Sequence, residues 1–277
     1  MSYIIKNWGI VMERNTKNLL LVFGNSIGVI ATIIINALAV ILPLNGKSTS
    51  ELSDAIPNLF VPAGITFSIW SIIYIFLIVF ILYQMVDLAK KQSDTNYLEK
   101  IGGWFMLASV GNIIWIFLWH YEYVTYSLLA MLLLFVSLLI TYLKLDIGLS
   151  KVPLKEKLAI HATISIYLGW ITVATIANVT AVLVKLDVGE LVLGQATWTI
   201  LVIVVAALIT ILMLIQRRDI AYSLVIMWAL LGIIIKRLNT EPVHNSIVYT
   251  AAISIIIIFC VMIVKTLWDN KKVKVSS

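Results

Sequence analysis

Eight long apolar runs dominate the sequence, at 19–43, 60–86, 102–119, 124–143, 158–184, 191–215, 220–235 and 246–264. A helix that crosses the roughly 30 Å hydrocarbon core of a bilayer needs about 20 apolar residues. Water cannot host eight such runs in a chain of 277 residues, because a core that size would need far more polar surface to cover it. Composition agrees. Apolar residues make up 61% of the chain and charged residues 12%, where a soluble domain carries about 25% charged. Mean hydropathy is +1.03. The expected fold class is therefore all-α, a polytopic helical membrane bundle of about eight transmembrane helices, since in lipid each backbone polar group must be satisfied within its own segment. Disorder, a disulfide scaffold and a nucleic-acid-binding domain are excluded. The single cysteine, Cys260, can form neither an intrachain disulfide nor a zinc site.

The links between runs set the topology. His120 to Tyr123 joins the third and fourth spans, and Gln216 to Asp219 joins the sixth and seventh, so both pairs are tight antiparallel hairpins. The first span resembles a secretory signal, with Ala37-Leu38-Ala39 at its end. Its apolar run is longer than a signal core of about 7–15 residues, so a retained helix is expected. With eight spans both termini share one side. Sixteen basic residues fall on that side: Lys6, Arg14, Lys17, Lys90, Lys91, Lys100, Lys144, Lys151, Lys155, Lys157, Arg217, Arg218, Lys265, Lys271, Lys272 and Lys274. Four fall on the other: Lys47, Lys185, Lys236 and Arg237. The positive-inside rule then puts both termini in the cytoplasm of a cell-membrane, multi-pass protein. The net charge of +6 reflects these loops rather than a nucleic-acid partner.

No Asp, Glu, Lys or Arg falls in the middle of a span, which argues against ion pumping, voltage sensing and proton coupling. His120, His161 and His244 have no metal-ligand spacing. The deep polar groups are amides: Asn25, Asn36, Asn112 and Asn178. Each must find a partner on another helix. The aromatic residues form stripes. Phe67, Trp70 and Tyr74 lie on one face of the second span at i, i+3 and i+7. Asn112, Trp115 and Trp119 repeat that spacing on the third, and Tyr167, Trp170, Ala174 and Asn178 extend it on the fifth. Such stripes serve either as core packing or as a ligand wall. Before the second span, Pro57-Asn58-Leu59-Phe60-Val61-Pro62 makes a stiff entry, either an ordinary helix start or the cap of a pocket.

In this order the segments resemble the translocator protein / peripheral benzodiazepine receptor family, the tryptophan-rich sensory proteins of TspO type. The resemblance is carried by Pro62 followed by Phe67, Trp70 and Tyr74, by Asn112-Ile113-Ile114-Trp115 ending in Leu118-Trp119, and by Tyr167, Trp170, Ala174 and Asn178. It covers about residues 19–184, roughly three fifths of the chain. It implies a five-helix TspO-like membrane region over 1–186, with 187–277 as a three-helix C-terminal membrane extension. The chain departs from the family in its eight spans, in having one of the paired loop prolines, and in Leu118-Trp119 where the family ends the third helix on an aromatic pair.

The resemblance also implies a function. A small apolar or tetrapyrrole-type ligand, with a porphyrin or haem as the candidate, would sit in an aromatic-lined cleft between helices, held by Phe67, Trp70, Tyr74, Asn112, Trp115, Trp119, Tyr167, Trp170 and Asn178. The protein would act as a sensor or carrier in the lipid bilayer, with a homodimer as the candidate assembly. The alternative is a transporter whose last three spans complete a path, although no inverted repeat or central ionisable group supports one. An enzymatic reading finds no nucleophile or acid–base pair. The charge count yields a direct test. Cysteines introduced at Ser48 and Ser150 should be labelled by an impermeant thiol reagent from opposite sides, Ser48 from outside. Labelling of both from one side would break the eight-span topology.

Overall fold

The structure, a computed structural model, describes the backbone of residues 2–42, 44–90, 95–186 and 194–276, and the side chains of 16–42, 44–90, 95–186 and 194–269. The start of the sixth span, the 186/187 boundary and the side chains of Lys6, Arg14, Lys91, Lys271, Lys272 and Lys274 lie outside the described residues. The elements are α1 (Ser2–Ile41), a 3₁₀ turn Leu44–Gly46, α2 (Thr49–Ala55), a 3₁₀ turn Gly64–Ser68, α3 (Ile69–Leu88), α4 (Asn96–Ile101), α5 (Trp104–His120), α6 (Val124–Lys144), α7 (Leu154–Glu156), a π-helical turn Lys157–His161, α8 (Ala162–Lys185), α9 (Gln195–Arg217), α10 (Ile220–Leu238) and α11 (Asn245–Ser276). No strand occurs among the described residues.

Seven helices of the described chain are long and apolar enough to cross a membrane, and the shorter apolar helix α5, Trp104–His120, accompanies them. Each of the eight sequence-read spans therefore falls, for most of its described residues, on a helix. At 17 residues, α5 is about 25 Å long at 1.5 Å per residue, slightly under the thickness of a typical hydrocarbon core. The protein is thus a polytopic helical membrane bundle. Both short links hold as hairpin turns: α5 stops at His120 and α6 starts at Val124, while α9 stops at Arg217 and α10 starts at Ile220. Asp219 caps α10 by accepting from the Tyr222 N–H at 3.0 Å, and takes a second hydrogen bond from Ser165 on α8 at 2.7 Å.

Burial explains how the helices are arranged. α8 carries the densest buried face, with Tyr167, Leu168, Trp170 and Ile171 each at most 3% exposed. It packs against α3, α6 and α10, so it is the central post. α5 packs on α6 and α1, and α9, α10 and α11 pack on one another. Outward faces stay apolar, as lipid requires: Leu20, Phe23, Ile75, Leu129, Leu208 and Ile256 are all exposed.

Small residues allow the closest helix approaches. A Cβ added at Gly111 would lie 2.8 Å from the backbone N of Leu134, so α5 and α6 approach backbone to backbone there. A Cβ at Gly64 would meet open space. Overpacking costs about 1–3 kcal/mol. We expect Gly111→Ala to lower the thermal midpoint of the detergent-purified protein by several degrees, and Gly64→Ala to leave it within error. Equal midpoints for the two variants would show that the α5–α6 contact is looser than this.

Candidate functional site

One end of the bundle, which carries Lys47 and is called the lid end here, holds a short helix that the spacing of apolar residues does not announce. α2 begins with a capping box, in which the Ser48 side chain accepts from the Glu51 N–H and the Glu51 carboxylate accepts from the Ser48 N–H at 2.7 Å. Ser48-x-x-Glu51 is a sequence signature of a helix start, so the residues were available to find it. The N–H of Ser48 and its hydroxyl hold the Glu51 carboxyl below its usual range.

Bonds from α5 fasten α2. The His120 ring is fully buried. Its Nδ1 lies 3.1 Å from the Leu44 carbonyl and its Nε2 lies 3.0 Å from the Thr49 hydroxyl. A carbonyl oxygen only accepts, so Nδ1 carries the proton, and in the neutral ring Nε2 accepts from Thr49. Asn45 donates to the His120 carbonyl at 3.0 Å. The Trp119 indole N–H donates to the Thr49 carbonyl over a longer 3.4 Å. Outside these, Lys47 and Glu122 form a 2.7 Å ion pair between exposed groups, and the Lys47 hydrogen bond and charge hold the Glu122 carboxyl low. Both carboxylates have depressed pKa values. Their contribution to the lid is therefore complete at neutral pH and is lost as pH falls through those values.

Beneath α2 lies a cleft of about 40 Å³ lined by Phe67, Trp70, Trp115, Trp119, Trp170 and Asn178, together with Thr49, Ser53, Pro62, Val173, Ala174 and Ala177. Six of the nine residues singled out from sequence thus share one cleft. The rings meet edge to face or stacked: Phe67 and Trp170 at 5.8 Å, Trp70 and Trp170 at 6.4 Å, and Trp115 and Trp119 at 5.7 Å between centroids. These are favourable aromatic geometries. Phe67 belongs to the 3₁₀ turn Gly64–Ser68 rather than to α3, so the second stripe starts on a tighter turn than an α-helical face.

The other three residues back the cleft rather than line it. Tyr74 stacks on Trp70 at 5.6 Å, and Tyr167 meets Trp70 edge-on at 6.0 Å. Asn112, fully buried, donates to the Tyr167 hydroxyl at 3.0 Å and accepts from Asn36 on α1 at 2.6 Å. The chain Asn36–Asn112–Tyr167 ties α1, α5 and α8 together behind the rings. Asn25 similarly donates to Gln84, a buried amide on α3, at 2.9 Å.

Asn178 joins the cleft to the bundle. Its Oδ1 accepts from the Trp115 indole at 3.1 Å, and its Nδ2 donates to Ser127 on α6 at 3.1 Å. Trp228 on α10 donates its indole N–H to the Thr66 carbonyl at 2.9 Å. Trp70 and Trp170 differ: neither makes a side-chain hydrogen bond to a described residue, and both line the cleft. Thr49, Ser53 and Trp228 were missed from sequence. The capping box could have flagged the first two, whereas the last depends on a long-range contact that no local spacing encodes. The wall behind the cleft also involves the last three spans. The Ala63 N–H donates to the Gly232 carbonyl at 2.9 Å, and a Cβ at Gly232 would strike Thr66. α10 is therefore seated directly against the entry to α3.

Together these features define a helical membrane protein with an aromatic cleft closed by a loop helix. A family model described as TSPO-like protein matches residues 21–264, and the chain belongs to that family. The match runs past the three motif-bearing segments, through α9 and α10 and most of the way along α11. Neither the curated proteins nor the solved structures give a match.

Removing the Asn178 amide leaves a buried indole N–H unpaired, which costs about 1–3 kcal/mol. A double-mutant cycle of Asn178→Leu and Trp115→Phe, read by unfolding in detergent, should give a coupling of about 1 kcal/mol. Additive effects would mean that the Trp115–Asn178 bond contributes nothing.

Proposed function

We propose that the protein holds a small apolar or tetrapyrrole-type ligand, of which a porphyrin or haem is the leading candidate, in the cleft beneath α2, and acts as a sensor or carrier. One observation carries the reading. Of the indoles that line the cleft, Trp115 and Trp119 direct their N–H groups to protein acceptors, while Trp70 and Trp170 leave theirs uncommitted among the described residues. A flat conjugated ring would stack on these faces and accept from these donors. Phe67, Trp70, Trp115, Trp119, Trp170 and Asn178 would contact it, with Tyr74, Asn112 and Tyr167 holding the rings in place. The same reading puts both termini in the cytoplasm, supported by the sixteen-to-four split of basic residues.

Size adds a requirement. A cavity of about 40 Å³ holds a water or two, whereas ligand pockets span about 300–1,000 Å³. The ligand must therefore displace α2, and the His120–Thr49 and His120–Leu44 bonds are the fastening to be broken.

Binding of protoporphyrin IX to detergent-purified protein, followed by tryptophan quenching, tests this. Trp170→Leu keeps the site apolar but removes the ring and its N–H. It should weaken binding roughly tenfold. His120→Ala, which loosens the lid, should raise the association rate. Trp198→Leu, outside the cleft, should change affinity little. Undiminished binding to Trp170→Leu alongside loss in Trp198→Leu would place the ligand elsewhere.

A further inference from the structure

Two of the four basic residues at the lid end are neighbours, Lys236 and Arg237, in the last turn of α10. Their anionic partner comes from the lid itself. The Lys236 Nζ lies 2.9 Å from Oδ2 of Asp54 on α2, and the same carboxylate acts on the Arg237 charge. Arg237 is only 6% exposed, and its Nε is buried without a hydrogen-bond partner among the described residues. A guanidinium so placed is costly to leave without a counter-charge. The cations stand beside the rim of the aromatic cleft. Asp54 follows Ser53, which lines the cleft, and Lys236 is one turn beyond Gly232, whose carbonyl holds Ala63 next to the lining residue Pro62. The other two cations of this end, Lys47 and Lys185, are both bonded to Glu122 in the α5–α6 turn.

Seating a ligand beneath α2 requires the lid to move, and Asp54 travels with it. Lys236 then loses its ion pair, and Arg237 loses the carboxylate set against it. A neutral ligand leaves both charges unmatched. A ligand that carries its own carboxylate matches them, and a ligand favours a conformation only by what it binds more tightly there. We propose that Lys236 and Arg237 recognise a carboxylate of the ligand, and that Asp54 holds that position while the lid is closed. The site thus selects flat apolar acids, tetrapyrrole dicarboxylates among them, over neutral hydrophobes of the same shape. The proposal rests on the reading of the cleft beneath α2, and it gives α10 a part in ligand choice as well as in bracing the entry to α3.

Protoporphyrin IX and its dimethyl ester share one ring and differ in whether the carboxyl groups can ionise. Their affinities for the detergent-purified full chain, followed by tryptophan quenching, give an acid-to-ester ratio for each variant. The ratio is the readout, because a looser lid moves both ligands alike. Arg237→Gln should lower it roughly tenfold, and Lys236→Gln, at a less buried position that tests the proposal even if Arg237→Gln does not fold, roughly threefold. Asp54→Asn unfastens the lid without touching either cation. It should tighten the binding of both porphyrins and leave the ratio in place. Lys185→Gln, which removes a charge at the same end but away from Asp54, should also leave the ratio in place. A ratio that is the same in the parent, Lys236→Gln and Arg237→Gln, with binding still weakened by Trp170→Leu, would overturn this proposal and spare the cleft. Binding of both porphyrins that Trp170→Leu leaves intact would remove the cleft reading, and this proposal with it.

Discussion

A polar side chain in hydrocarbon has no water to fall back on, and this constraint organises the whole bundle. Each deep asparagine on α1, α5 and α8 is matched across a helix interface: Asn25 with Gln84, Asn36 with Asn112, Asn178 with Trp115 and Ser127. These bonds are few, but each fixes the rotation of a helix whose outer faces would otherwise be interchangeable Ile, Leu and Val. With the rotations fixed, the aromatic stripes converge. Trp70 and Trp170, by contrast, make no side-chain hydrogen bond to a described residue and stand in the cleft wall.

Much of this is written in residue order. The eight apolar runs, the two hairpins and the three stripes follow from counting, because lipid leaves a helix few other options. Period alone does not separate a residue that lines a cleft from one that backs it. Asn112 and Trp115 share a stripe, yet Asn112 is sealed between Asn36 and Tyr167 while Trp115 lines the cleft. The difference of a turn along α5 decides which helix each side chain meets, and only the assembled packing sets that. α2 is a different case. Its capping box at Ser48 and Glu51 was legible, but a seven-residue helix in a loop leaves no mark on hydropathy.

The last three spans show what a local reading leaves out. On sequence they read as an extension, since the resemblance carried by the three motifs ends at about residue 184. In the bundle, α10 braces the entry to α3 through Trp228, Gly232 and Thr66, while Tyr222 donates to Thr172 on α8 at 3.1 Å. The family match over 21–264 crosses the same region. The entry to the cleft is thus braced from α10 as well.

A tight cleft beneath a fastened lid makes a specific demand on any bound state. The most direct measurement is an experimental structure of the protein determined with protoporphyrin IX. The expected result is a ring stacked against Trp70 and Trp170, with α2 moved away from His120 and the Asn36–Asn112–Tyr167 bonds intact. A porphyrin bound outside the cleft with α2 still joined to His120 through Thr49 would contradict it.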